Sequence, residues 1–274
     1  MSMDRRQFLK IAGISSILGF GASVASAAQP TLLGGLDPSQ VDKNKEALIA
    51  KRWAMVVDMS KFKTGDDFKK VIDACHQTHN VPDFRNADGS VNRKDEIKWI
   101  WHAPYERAFP GQDNKYMSEH MKEMPFLVMC NHCDNPPCVR VCPTKATFKL
   151  PNGITMQDEH RCIGCRFCMA ACPYGSRSFN WRDPRPAIKS ENKEYPTRTK
   201  GVVEKCTFCT ERLAVGKLPA CVEAAPKGGL LFGDMENPND EVRKIVTNQY
   251  TIRRKSDLGT GPAIYYIVGG SDHA

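Results

Sequence analysis

Apolar residues fall along this chain in short runs separated by polar and turn-forming residues. Trp53-Ala54-Met55-Val56-Val57 reads as a first strand. Phe148 to Leu150 and Ile154 to Met156 flank Pro151-Asn152-Gly153, the pattern of a hairpin. Leu230 to Phe232 and Ile264 to Ile267 are further short strands. One stretch has helical periodicity: Phe68, Val71, Ile72 and Cys75 recur at i, i+3, i+4 and i+7, and Thr64 with Asp67 reads as a capping box opening that helix. After the first thirty residues no apolar run approaches the 18 or so needed to span a bilayer, so the mature chain is expected not to be integral to the membrane.

The one long apolar stretch reads as an address. Arg5-Arg6 stands before Phe8-Leu9-Lys10, residues 11–24 are apolar and rich in small side chains, and Ala25-Ser26-Ala27 supplies an A-x-A cleavage site. Residues 1–27 resemble a twin-arginine signal, a route for proteins that fold and load a cofactor before export, which puts the mature chain on the outer face of the cytoplasmic membrane. Residues 28–51 form an N-terminal extension.

Composition changes the picture through one residue type. A 26% charged fraction and 41% hydrophobic content describe an ordinary globular chain, but twelve cysteines do not. Cys130, Cys133, Cys138 and Cys142 precede Pro143, and Cys162, Cys165, Cys168 and Cys172 precede Pro173. The second group is the C-x2-C-x2-C-x3-C-P run of iron–sulfur proteins, and the first differs only in a wider third gap. In such runs three thiolates wrap one cluster and Cys-Pro aims the fourth at the other. The expected ligand sets are Cys130, Cys133, Cys138 with Cys172, and Cys162, Cys165, Cys168 with Cys142.

Cys75, Cys206, Cys209 and Cys221 remain. From Cys206 the chain reads C-x2-C-x11-C-x3-A-P, so Ala225 stands where a fourth cysteine would. Counting back from Cys75 along the same spacing finds Val71, Phe68 and Gly65 where three cysteines would stand. The two defects are complementary. They remove one whole cluster and leave a third set, Cys206, Cys209 and Cys221 with Cys75. Disulfides fit export but not partners two residues apart, and four-cysteine runs ending in Cys-Pro exceed what tetrahedral zinc needs.

The formal charge of +8 would suggest nucleic acid. The leader carries Asp4, Arg5, Arg6 and Lys10, a net +2, leaving +6 for the rest. Twelve thiolates around three doubly charged four-iron cores contribute about −6 more. The loaded protein is then near neutral, and no nucleic-acid partner is expected.

The motifs Cys130-Asn131-His132-Cys133, Cys162-Ile163-Gly164-Cys165, Ala171-Cys172-Pro173-Tyr174-Gly175 and Cys206-Thr207-Phe208-Cys209 resemble the ferredoxin-like electron-transfer subunits of dimethyl-sulfoxide, polysulfide and cytochrome-linked nitrite reductase systems. The ending Leu258-Gly259-Thr260-Gly261-Pro262 before Tyr265-Tyr266 fits as well. Within that family, three cluster sites behind a twin-arginine signal are most similar to the DsrO branch of the membrane-bound DsrMKJOP complexes of sulfur metabolism. The resemblance implies an α+β fold of two pseudo-symmetric ferredoxin-like [4Fe–4S] modules over residues 52–268, with a loop-rich periphery. The inserted segment spans 76–123, the two-cluster module 124–182 and the third-cluster module 199–234, and a tail follows at 269–274. It implies electron relay through three [4Fe–4S] clusters, between an integral membrane quinone-binding subunit (DsrP- or NrfD-like) and a multihaem cytochrome c (DsrJ-like). Other complex subunits complete the assembly, and the chain has no catalytic residues of its own. The alternative is the ferredoxin-like subunit of a molybdopterin reductase, whose catalytic partner the family places against the dismantled first site.

The remaining features are less specific. Trp99, Trp101, Tyr105 and Phe109 belong either to a packed insertion or to a partner-docking surface. The polar run from Arg182 to Lys200 is expected to be a solvated loop. His132, His160 and Tyr174 lie near ligands, as packing residues or as tuners of potential.

Overall fold

A computed structural model of the chain describes residues 44–112 and 114–268; the leader, residues 28–43 of the extension, Asp113 and the tail from 269 lie outside the described residues. The expected strands form, and more besides. β1 (Trp53–Asp58) is central in a three-stranded sheet, antiparallel to β8 (Leu230–Asp234) and parallel to β9 (Ile264–Ile267). β2 (Ile100–Pro104) pairs with β3 (Pro125–Met129), β4 (Thr147–Lys149) with β5 (Thr155–Gln157), and β6 (Ser178–Phe179) with β7 (Val203–Glu204), all antiparallel. Each even-numbered strand up to β6 thus pairs with the next in sequence, and β8 returns to β1. The β4–β5 hairpin matches the sequence expectation, with Gly153 at φ 86° in its turn, where a Cβ would be strained. No helix among the described residues is long and apolar enough to cross a membrane.

α1 (Gly65–Thr78) is the longest helix among the described residues, and it spans Gly65, Phe68 and Val71, where the spacing would place three cysteines. Its first turn is fixed by the Asp67 carboxylate, which accepts from the Thr64 N–H at 2.9 Å and the Thr64 hydroxyl at 3.1 Å. Phe68, Val71 and Cys75 are buried on one face. Phe68 packs against Phe62 with tilted rings 5.0 Å apart, and Phe62 also approaches the backbone that follows Ala225-Pro226. The sequence suggests that apolar groups fill the space of a lost cluster. Phe68 and Val71 are buried as that requires, and a surface cavity lined by Phe62, Gly65, Phe68, His102 and Met124 lies beside them.

The segment 76–123 is a packed insertion. Trp99, Tyr105 and Phe109 are buried in the main core with Phe126 and Tyr266, and Trp101 is partly buried against it. Phe109 meets Phe126 and Tyr266 edge-on at 5.2 Å in each case. The run from Arg182 to Lys200 is not the free loop its polarity suggests. Arg198 is buried, pairs with Glu204 at 2.7 Å and donates to the backbone carbonyls of His79 and Asn80. Glu204 also accepts from the Trp99 indole N–H at 2.8 Å, so one buried carboxylate joins loop, insertion and β7. Residues 44–51 are tied to the body as well, through Leu48 N–H to the Leu213 carbonyl at 2.9 Å.

Replacing the buried ring that stands in for a ligand tests this packing. Phe68→Ala should destabilise by about 3 kcal/mol, the low end for a buried Phe because the neighbouring cavity lets the site relax. The measurement is the unfolding midpoint of cluster-loaded protein, and a change below about 0.5 kcal/mol would contradict the packed role.

Candidate functional site

Three cysteine segments share one local conformation. In each C-x2-C turn the residue before the second cysteine is left-handed: His132 at φ 39°, Gly164 at φ 70° and Phe208 at φ 55°. Two of these are bulky residues that bear about 1–2 kcal/mol of backbone strain for it. The reversal turns amide groups toward the sulfurs, and Phe208 N–H donates to Cys206 Sγ at 3.4 Å. The third cysteine of each group then sits in a short helix: Cys138 in Pro137–Arg140, Cys168 in Phe167–Ala171 and Cys221 in Ala220–Ala224. The next position closes the helix with the same bond each time. Cys142 N–H reaches Val139 O at 3.3 Å, Cys172 N–H reaches Met169 O at 3.3 Å, and Ala225 N–H reaches Val222 O at 3.4 Å. Proline follows, and two residues beyond it Lys145, Gly175 and Gly228 are all left-handed. Ala225 therefore occupies a cysteine's place in backbone geometry as well as in spacing.

All twelve cysteines are free thiols, and they gather in three groups. Cys130, Cys133, Cys138 and Cys172 line one cavity, together with Tyr174 and Arg177. Cys142, Cys162, Cys165 and Cys168 line another. Cys75 is 3% exposed, and burial first, then the nearby thiols of Cys221, Cys206 and Cys209, push it well above the usual thiol range. Burial pushes Cys133 and Cys221 up to about 12. Cys209 and Cys206 are raised for the same leading reason. Four such thiols around one point resist becoming thiolates unless a cationic core compensates them, and an iron–sulfur core does so. Cys142 differs: burial acts upward, but the Thr147 N–H at 3.4 Å and groups of Thr144 lower it overall. The donor set and its electrostatics fit four-iron clusters.

The first group adjoins both of the others. Cys130 is a neighbour of Cys206, and Cys138 of Cys168, so the Cys130–Cys172 group lies between the other two. Between the first and third groups the His132 ring stacks on Phe208 at 3.7 Å. His132 is buried and its Nδ1 accepts from Thr155 N–H at 3.1 Å; burial holds it well below the ordinary imidazole range, so it is neutral. The segment 258–262 clamps the first group, with Asp134 and Asn135 N–H donating to the carbonyls of Gly261 and Thr260 at 2.9 Å and the Tyr174 hydroxyl meeting that of Thr260. His160, by contrast, is exposed.

Two buried bases escaped the sequence reading. Lys205 donates to the carbonyls of Cys206, at 2.6 Å, and Thr155. Arg177 lies five residues past Cys172. Nothing in composition or periodicity marks either one, although a lysine directly before a C-x2-C turn is the nearest thing to a signal. His79 is a third surprise. Its Nε2 faces Glu211 Oε1 at 2.9 Å, its Nδ1 faces the Cys75 carbonyl at 2.7 Å, and with Glu211 it gathers around Cys209 of the third group.

Groups of four thiols on ferredoxin-type turns define an iron–sulfur protein. A family model described as a 4Fe-4S dicluster domain matches residues 122–187 and 191–235. The "Hdr-like menaquinol oxidoreductase iron-sulfur subunit 1" of Archaeoglobus fulgidus is 38% identical over 98% of this chain and 100% of its own. The "Menaquinone reductase, iron-sulfur cluster-binding subunit" of Nitratidesulfovibrio vulgaris is 36% identical over 79% and 88%, and the protein NrfC of Escherichia coli is 35% identical over 72% and 73%. The chain belongs to this family of [4Fe–4S] electron-transfer subunits of oxidoreductase complexes. It moves electrons for its complex rather than transforming a substrate itself.

Two glycines separate the strain of a left-handed turn from a close backbone approach. A Cβ at Gly164 would also run into the Gly201 carbonyl, whereas one at Gly175, at φ 63°, would meet nothing. Gly175→Ala should cost about 1–2 kcal/mol, and Gly164→Ala clearly more, with earlier thermal bleaching of the clusters. Equal losses would contradict this packing of the second group's loop.

Proposed function

We propose that the chain carries three [4Fe–4S] clusters. One is held by Cys130, Cys133, Cys138 and Cys172, one by Cys142, Cys162, Cys165 and Cys168, and one by Cys75, Cys206, Cys209 and Cys221. The observation that carries this reading is that twelve thiols form three sets of four with none left over. Three sets on repeated turns also support two pseudo-symmetric ferredoxin-like modules, one of whose four sites has been lost. Bound clusters supply one-electron chemistry. The chain's own part is to hold the thiolates, exclude water, and keep the first set between the other two, so that no electron crosses the molecule in one step.

In this reading the subunit relays electrons between a membrane quinone-interacting subunit of the DsrP or NrfD type and a multihaem cytochrome c of the DsrJ type, in a sulfur-metabolism complex. Full-length similarity to a subunit named for menaquinol oxidation, and long similarity to one named for menaquinone reduction, support the quinone side. The leader 1–27 would deliver the loaded protein to the periplasmic face by the twin-arginine route. The loss of the fourth site, which the family resemblance sets against a molybdenum subunit, favours this partner set over a molybdopterin reductase.

Purification of the native complex from membranes, through a tag on this chain, tests the assignment. An integral membrane subunit and a haem-staining c-type cytochrome are expected to co-purify. A molybdopterin protein in their place would overturn it.

A further inference from the structure

Arg177 is a basic residue, among the described ones, that reaches thiols of two groups. Its side chain is 95% buried, since the residue is only 5% exposed. It lines the cavity of the first group, and its guanidinium reaches Cys138 of that group and Cys168 of the second. The β4–β5 hairpin holds it there. Thr147 and Gln157 are directly opposed in that hairpin, the Thr147 hydroxyl donates to Gln157 Oε1 at 2.7 Å, and Arg177 Nη1 donates to these same two oxygens at 3.2 and 2.9 Å. Nη2 is buried and finds no acceptor at normal hydrogen-bonding geometry, although the guanidinium approaches the thiols of Cys138 and Cys168. A buried guanidinium nitrogen left without an acceptor is costly unless a bound group supplies one.

The other buried bases are differently placed. Lys205 Nζ is satisfied by two backbone carbonyls, and His132 is neutral. Arg254 is buried with an unpartnered Nη1 too, but it lies over the Tyr174 ring and donates to the Ala108 carbonyl. Among the described residues Arg177 combines a fixed positive charge, an unsatisfied donor and a position between two thiol groups. Reduction adds one electron to a cluster, and a fixed cation in a weakly screened interior favours the more negative form.

We propose that Arg177 sets the potentials of the first and second centres together, favouring their reduced forms through its charge and through Nη2 donating to the sulfur of a bound cluster, while the third centre lies beyond its reach. This rests on the three-cluster reading above. Arg177 is thus a positioning and tuning residue for electron transfer rather than a ligand.

The test is a mediated redox titration by EPR, with dithionite as reductant, on full-length cluster-loaded wild type, Arg177→Gln and Arg177→Lys. Iron and acid-labile sulfide are measured on every sample, so that an absent cluster is distinguished from a shifted one. In Arg177→Gln, two of three couples should become harder to reduce by at least tenfold in the reduced-to-oxidised ratio, about 59 mV for a one-electron couple. The third couple should not move, and Arg177→Lys should recover most of the shift. No shift, an equal shift of all three couples, or a lysine variant as displaced as the glutamine variant would overturn the proposal. Loss of iron from either variant would make the residue structural and overturn it as well.

Discussion

Buried thiols that cannot easily ionise are the constraint on which this structure depends. Cys75, Cys206, Cys209 and Cys221 are shut away from water and crowd one another, and burial pushes each of them up. Such a group gains little as thiols, and as thiolates it demands compensating positive charge at its centre. The main apolar core runs up to these sulfurs, with Cys75, Cys130, Cys206 and Cys221 counted among its side chains. Short helices and two- to six-residue strands supply little cooperative structure of their own. Clusters bound at the thiol groups would tie these elements together and compensate for that. The strained turns at His132 and Phe208 make sense in the same terms, since each aims backbone toward a sulfur pair at a conformational cost the assembled centre must offset.

The segment whose cysteine spacing is broken shows the contrast. Without ligands at positions 65, 68, 71 and 225, the turn-and-short-helix pattern gives way to a continuous fourteen-residue helix with an ordinary polar cap and an apolar face. Ala225 keeps the backbone bond of its cysteine counterparts, so the change is greater on the α1 side than on the Pro226 side. Cys75 is the one remnant on α1 whose sulfur still faces the third group. The side chains of Ile163 and Phe167, beside the thiols of the second group, are exposed.

Much of the grouping of thiols was legible in the sequence because spacing carries it. Cys-Pro endings, C-x2-C pairs and the alanine before Pro226 are local signals that need no tertiary information. The β1 strand, the β4–β5 hairpin and α1 were legible for the same reason: each has its own periodicity or turn residues. Other features arise only from contacts distant in the chain. The β2–β3 pair lies on either side of an insertion whose aromatic residues could serve a core or a surface equally well. Arg198 looks solvated beside its polar neighbours, yet Glu204 and the carbonyls of His79 and Asn80 bury it. Arg177 carries no local mark at all, because its partners Thr147, Gln157, Cys138 and Cys168 come from four other segments.

If three complete sets of four cysteines each hold a four-iron cluster, Cys75 is the ligand whose removal is most telling. Iron, acid-labile sulfide and zinc per chain should be measured on anaerobically purified wild type and Cys75→Ser. About twelve irons and twelve sulfides in wild type, falling to about eight of each in the variant, is the expected result for three four-iron clusters. Eight in both would remove Cys75 from the ligands, and zinc without sulfide would contradict the electron-transfer role altogether.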